Sequence, residues 1–242
     1  MISHHGPNPA GRMAEVLALF TYTNKWAATW SLVLVAALGG VAVGCSRQKA
    51  CTECVVLIGD SITANWQSLT TGRELAGLKV VNRGIPSDDT AHMLARFDSD
   101  VVRNRPRVVV ILGGINDLVR VPLVSTEQNL ETMTEKAERN NIRVVLATLP
   151  PADRRTDERN PTEAVSSHDV GNDKIRVLND WIRNCVARKH YAVADYYAIL
   201  ADDRGSYLSD LTADGIHPST QGYERMEQLL RDAIQASLTG RK

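Results

Sequence analysis

Val55-Val56-Leu57-Ile58-Gly59-Asp60-Ser61-Ile62-Thr63 passes from an apolar, β-branched run through a glycine into small polar residues. An apolar run with no alternating polar face reads as a strand buried on both sides. The same grammar recurs downstream. Lys79-Val80-Val81-Asn82-Arg83 ends at Gly84, and Arg107 to Leu112 ends at Gly113-Gly114. Arg143 to Thr148 runs up to Pro150-Pro151, and the weaker Tyr191-Ala192-Val193-Ala194 ends at Asp195. Helical patterns fall between these runs. Asp88 or Asp89 caps one through Phe97, and Ser125-Thr126-Glu127-Gln128 reads as a capping box for another to about Asn140. Ile175, Leu178, Trp181, Ile182 and Val186 share one face of a helix over Asp173 to Lys189, and a last helix runs from about Thr220 to Leu238. Strand and helix alternate throughout. The expectation is a three-layer α/β/α domain with a flavodoxin-like parallel sheet of about five strands.

The bulk composition agrees with such a core. The chain has 242 residues, 43% hydrophobic and 23% charged, with Lys+Arg and Asp+Glu equal at 28 each. No basic excess marks a nucleic-acid partner, and no acidic tract marks a solvating tail.

The N-terminal part reads differently. No charged residue lies between Trp26 and Gly44, and Lys25 and Arg12 precede that stretch. Basic residues followed by an apolar run make an export signal. The run closes on Ala42-Val43-Gly44-Cys45 before polar Ser46-Arg47-Gln48, which resembles a bacterial lipoprotein cleavage site with Cys45 as the lipid-attachment residue. Two other readings stand beside it. An uncleaved membrane helix over residues 27–44 would span roughly 27 Å, just short of a bilayer core. A buried core helix is disfavoured by Gly39-Gly40 and Gly44. The expected organisation is a targeting segment over residues 1–44, a short tether over 45–54 and a catalytic domain over 55–242. Export would place that domain in the cell envelope or periplasm, held to the membrane by its lipid or anchor. Cys51 and Cys54 precede a strand rather than open a helix, so redox catalysis is not expected of them. A disulfide between them stays open.

Sites in open parallel sheets form at the carboxyl ends of the strands. Those ends carry Gly59-Asp60-Ser61, Gly84 and Gly113-Gly114-Ile115-Asn116-Asp117, and Asp214-Gly215-Ile216-His217-Pro218 lies near the C-terminus. Together these types suit acyl transfer. A serine hydroxyl attacks only when a base takes its proton, and His217 can be that base for Ser61. Asp214, three residues earlier, can hold the imidazole in one tautomer. Backbone N–H groups of Ser61 and Gly84 and the Asn116 amide can receive an oxyanion.

The four blocks, in this order, resemble those of the GDSL or SGNH hydrolases, over a stretch from about Val55 to Leu238. That resemblance implies Ser61 as nucleophile, His217 as base, Asp214 as its partner, and an oxyanion hole from Ser61, Gly84 and Asn116. It implies the SGNH hydrolase fold and cleavage of small carboxylic esters, such as acetylated carbohydrates or lysophospholipid-type esters, with no metal and no organic cofactor. The chain looks most like the lysophospholipase-like and carbohydrate-ester-cleaving branch. Ile62 stands where the family name has Leu, and Pro86-Ser87 stands where many relatives carry a second glycine. An acyltransferase using the same acyl-enzyme and a non-catalytic envelope binding protein remain as alternatives, and the oligomeric state is not legible. Trp66 fits either an acyl pocket or the core, and Asp195 fits a structural acceptor. His92, His168 and His190 fit packing or solvated positions. The polar stretch from Pro151 to Gly171 follows a strand and is expected to shape the leaving-group side of the pocket.

Overall fold

The computed structural model describes residues 51–152 and 172–240. The targeting segment, Cys45, His168 and nearly all of the loop expected after Pro151 lie outside the described residues.

The expected apolar runs are the strands β1 (Cys54–Gly59), β3 (Leu78–Gly84), β4 (Val108–Leu112), β5 (Arg143–Ala147) and β6 (Ala192–Ala194). A further two-residue strand, β2 (Glu74–Leu75), pairs antiparallel with β3. The sheet order is β2-β3-β1-β4-β5-β6, and every pairing but the first is parallel. The parallel strands, numbered in chain order, therefore run 2-1-3-4-5, the flavodoxin-like order expected. The additional strand, β2, is a hairpin edge. Ala76 and Gly77 both take positive φ (52° and 77°), and Leu75 pairs with Leu78. Two left-handed residues make the tight turn that matches strand twist. Ala76 carries no residue signal for it, so the sequence hides this strand.

The helices are α1 (Ser61–Ala64), α2 (Thr90–Asp100), α3 (Leu123–Arg139), α4 (Asn172–Lys189), α5 (Tyr196–Leu200) and α6 (Thr220–Thr239). β1 and β4 are buried along their whole length because both sheet faces are covered. α2, α3 and α4 pack on one face, and α1, α5 and α6 on the other. Trp66 is core: it is 2% exposed and packs against Tyr196 and Tyr223 with ring centroids 6.1 and 5.2 Å away. Asp195 is the structural acceptor expected, taking bonds from Arg183, Thr148 and the first turn of α5.

The capping box is not used. α3 starts at Leu123 behind Pro122, which makes no side-chain cap, so Ser125 already lies in the first turn. Proline pre-sets the backbone for helix entry. The Thr126 hydroxyl is diverted to Asp117 Oδ1 at 3.3 Å. Cys51 and Cys54 are joined by a disulfide, with Cα atoms 5.3 Å apart.

Candidate active site

β1 lies where the strand order reverses, so the chain leaving its carboxyl end opens onto the crevice that such sheets offer to ligands. Ser61 sits there as the first residue of α1, not as its cap. Asp60 is the cap, and its Oδ1 accepts from Ile62 N at 2.9 Å. Gly59 makes the turn possible. A Cβ at that position would lie 2.1 Å from Thr63 Oγ1 and 2.5 Å from the Leu112 carbonyl. Tyr223 of α6 donates to the Ile62 carbonyl at 2.8 Å and so ties α1 to the last helix.

The segment before α6 brings the other two triad candidates. Thr212 Oγ1 accepts from Gly215 N at 2.8 Å and donates to the His217 carbonyl at 3.0 Å, and Gly215 takes φ 90° to close the turn. Inside that turn Asp214 Oδ1 accepts from the backbone N–H groups of Ile216 and His217 at 2.9 and 2.7 Å. Its Oδ2 lies 2.7 Å from His217 Nδ1, and His217 Nε2 lies 2.8 Å from Ser61 Oγ. Burial works to raise the Asp214 pKa, but the bonds from His217 and from the two N–H groups outweigh it and hold the group below its ordinary value. An ionised carboxylate only accepts, so Nδ1 carries the proton and donates. The lone pair of neutral His217 then lies on Nε2, and the Ser61 hydroxyl donates to it. Ser61 and His217 are 156 residues apart in the chain.

The expected oxyanion donors are arranged less simply. Asn116 gives one amide N–H to the Asp88 carbonyl at 2.9 Å. An amide nitrogen has two hydrogens, so this bond fixes the plane and leaves the second N–H. The single Gly84 N–H donates to Asn82 Oδ1 at 2.9 Å. Asn82 also donates to the Thr63 and Leu69 carbonyls at 2.9 and 3.1 Å, so it links β3 to the chain around α1. Packing requires the glycine at 84. A Cβ there would lie 2.2 Å from Ala64 N, so the residue admits the backbone of α1 rather than substrate. The first helical N–H groups have no intrahelical partner, which leaves that of Ser61 pointing out of the α1 N-terminus.

Two buried carboxylates support these loops. Asp117 is 1% exposed and accepts from the Thr90 N–H at 2.9 Å and from the Thr90 hydroxyl, which roots the Asn116 loop on α2. Burial raises its pKa against those bonds. Asp60 is fully buried with Oδ2 unpartnered, and burial pushes its pKa up to about 7 against the Ile62 N–H and the nearby His217. The departure at Pro86-Ser87 also has a shape. Asp88 N donates to the Ile85 carbonyl at 3.2 Å, and Ser87 takes φ 67°. Proline followed by a left-handed residue makes a type II turn, so Ser87 occupies a conformation that favours glycine. Asn82, Asp60 and Tyr223 were not singled out from the sequence. The legible signal for Asn82 was an amide following the apolar pair Val80-Val81 in a strand that ends at Gly84.

The sequence matches the GDSL-like lipase/acylhydrolase family over residues 57–225. The chain belongs to that family. As a GDSL-like acylhydrolase it is a carboxylic ester hydrolase. It is 26% identical over 202 residues to Esterase TesA of Pseudomonas aeruginosa, covering 78% of this chain and 90% of that one. Among solved structures it is similar to a GDSL-like lipase from Bacteroides thetaiotaomicron, with 28% identity and a TM-score of 0.63, covering 76% of this chain and 88% of that one. A lipase/acylhydrolase from Enterococcus faecalis gives 28% identity and a TM-score of 0.60, covering 76% and 96%. Among the described residues of this GDSL-like hydrolase, no group of three or more His, Cys, Asp or Glu could hold a metal.

An open cleft of about 700 Å³ lies beside the triad candidates, bounded by Asn65, Gln67, Ser68, His217, Thr220 and Glu224. A second cleft, lined by Arg143, Tyr191 and Ala192, opens at the amino ends of β5 and β6, the opposite edge of the sheet from Ser61.

Proposed function

We propose that this hydrolase works through an acyl-enzyme on Ser61. The observation that carries the reading is the unbroken hydrogen-bond chain from Ser61 through His217 to Asp214. His217 Nε2 takes the hydroxyl proton as Ser61 Oγ bonds to the ester carbonyl carbon. Asp214 stabilises the imidazolium so formed. The new oxyanion lies against the Ser61 N–H and the second Asn116 N–H, with the Gly84 N–H recruited as charge develops. Collapse breaks the bond to the leaving oxygen, which takes the proton from His217 Nε2. Water then repeats the sequence on the acyl-enzyme and releases the acid. These steps call on no metal and no organic cofactor.

The substrates proposed are small esters, of the acetylated-carbohydrate or lysophospholipid type. The cleft beside His217 supports this, because its amide, hydroxyl and carboxylate groups suit an alcohol portion bearing hydroxyls. The targeting reading is kept as a proposal: Cys45 carries the lipid, the short stretch between it and the disulfide at Cys51 is the tether, and the domain works in the cell envelope. The Cys51–Cys54 disulfide is in keeping with an oxidising compartment. Detergent-phase partitioning of the full chain, lost on Cys45→Ala, tests the anchor. A fluorophosphonate probe, with the adduct mapped by mass spectrometry, tests the site. Labelling at Ser61 and absence of labelling in folded Ser61→Ala are expected. Labelling elsewhere, with full ester hydrolysis by Ser61→Ala, would overturn the assignment.

A further inference from the structure

Arg96 lies on α2, outside the triad and outside every block that names the family, and its side chain is only 15% exposed. Its guanidinium is spread over four acceptors. Nε donates to Asp88 Oδ2 at 2.7 Å. One terminal nitrogen donates to the Arg83 carbonyl at 2.8 Å and to Asp100 Oδ2 at 2.7 Å. The other donates to the Gly59 carbonyl at 3.0 Å.

The addresses of those acceptors matter more than their number. Gly59 ends β1, two residues before Ser61. Arg83 immediately precedes Gly84. Asp88 is the residue whose backbone carbonyl receives the Asn116 amide. Each of the three oxyanion donors is therefore joined to the same guanidinium through a very short stretch of chain or a single hydrogen bond. The Gly59 carbonyl also accepts from Ile85 N at 3.0 Å, which closes the link between the two strand ends. Only a planar fork with several fixed donors can satisfy carbonyls on two strands and a carboxylate on a loop together. An ammonium is a point charge and cannot.

We propose that Arg96 is the positioning residue of the oxyanion hole, holding the Ser61, Gly84 and Asn116 donors in one geometry through Gly59, Arg83 and Asp88. It touches neither substrate nor the triad. Its contribution belongs to the step in which charge builds on the carbonyl oxygen, where small displacements of fixed donors are costly. This rests on the Ser61 reading above.

The test is a double-mutant cycle on nitrophenyl acetate hydrolysis with Arg96→Lys and Asn116→Ala. Arg96→Lys keeps the positive charge between Asp88 and Asp100 and removes the fork. kcat is expected to fall about ten- to a hundredfold, with KM within about twofold and the pH profile of kcat/KM unmoved, since His217 is untouched. In the Asn116→Ala background the same substitution is expected to cost several-fold less than in the wild-type chain, because one of the three donors it positions is already gone and residues acting as a unit are not additive. A loss that multiplies in full in that background, or that falls on KM alone, overturns the proposal. Should Arg96→Lys fail to fold, Asp88→Asn, which loosens one arm of the fork, is put through the same cycle and read the same way. Fluorophosphonate labelling of Ser61 in each variant separates the two levels. Labelling with full multiplicativity defeats only the Arg96 role, whereas absence of labelling in the wild-type chain defeats the reading beneath it.

Discussion

The two halves of the candidate site are finished to different degrees. On the proton-transfer half every bond that the resting enzyme needs is already made: Asp214 to His217 at 2.7 Å and His217 to Ser61 at 2.8 Å. On the oxyanion half the Gly84 N–H is held by Asn82 and one N–H of Asn116 by Asp88, while the Ser61 N–H and the second Asn116 N–H stand open. The difference follows from when each half is used. A base must be aligned before attack begins. An oxyanion exists only afterwards, and a half-buried N–H left without a partner until then would cost roughly 1–3 kcal/mol. Asn82 satisfies the Gly84 N–H at rest, and the developing charge, a stronger acceptor, competes for it.

The comparison can be broken at either half. Ser61→Ala removes the group both halves serve, and hydrolysis of nitrophenyl acetate should drop by at least about 10⁴-fold. Residual activity near wild type would end it. Asp214→Asn presents an amide that can donate to Nδ1 and so turns the imidazole to the wrong tautomer. Because the Asp214 side chain is 53% exposed, water can partly stand in for it. The expected loss in kcat is therefore on the order of 10³-fold, below the ~10⁴-fold of a buried triad aspartate. Asn116→Ala touches only the oxyanion half and should cost about 10²-fold in kcat with KM little changed. A loss in KM instead would assign Asn116 to substrate binding.

The smallest effect concerns stability rather than rate. Asp60 has its pKa raised from 3.8 to about 7 by burial. Between those values the folded chain holds a proton that the unfolded chain releases, so stability falls as pH rises from about 4 to about 7. Asp60→Asn cannot ionise and should lose that slope, with its melting temperature rising relative to wild type across the window. The cap survives in the variant, since asparagine still offers an oxygen to Ile62 N. An identical pH slope in both proteins would show that Asp60 is not the titrating group.

The sequence carried the parallel sheet and its order because buried strands must be continuously apolar and right-handed crossovers leave few topologies. That Ser61, His217 and Asp214 come together was legible from four polar blocks in order, three of them at the carboxyl ends of strands and the fourth in the turn before α6. β2 was not, since its turn puts Ala76 in a left-handed conformation that no residue type announces. The start of α3 was misplaced because the chain enters the helix behind Pro122, two residues before the position at which Ser125 would have to stand outside it as a cap. The packing demand for glycine at position 84 was not legible. The closeness of α1 is a tertiary fact, and only the built fold shows that a methyl group would strike Ala64.

The distance along the chain between Ser61 and His217 has a consequence in time. A ribosome adding about 5–20 residues per second needs about 8–30 s to make the 156 residues that separate them. Throughout that interval the growing polypeptide holds a serine with no base, and the Tyr223 latch onto Ile62 does not yet exist. On the proposed assignment Ser61 is made early and meets its base late, so a nascent or C-terminally clipped chain is expected to hydrolyse no ester.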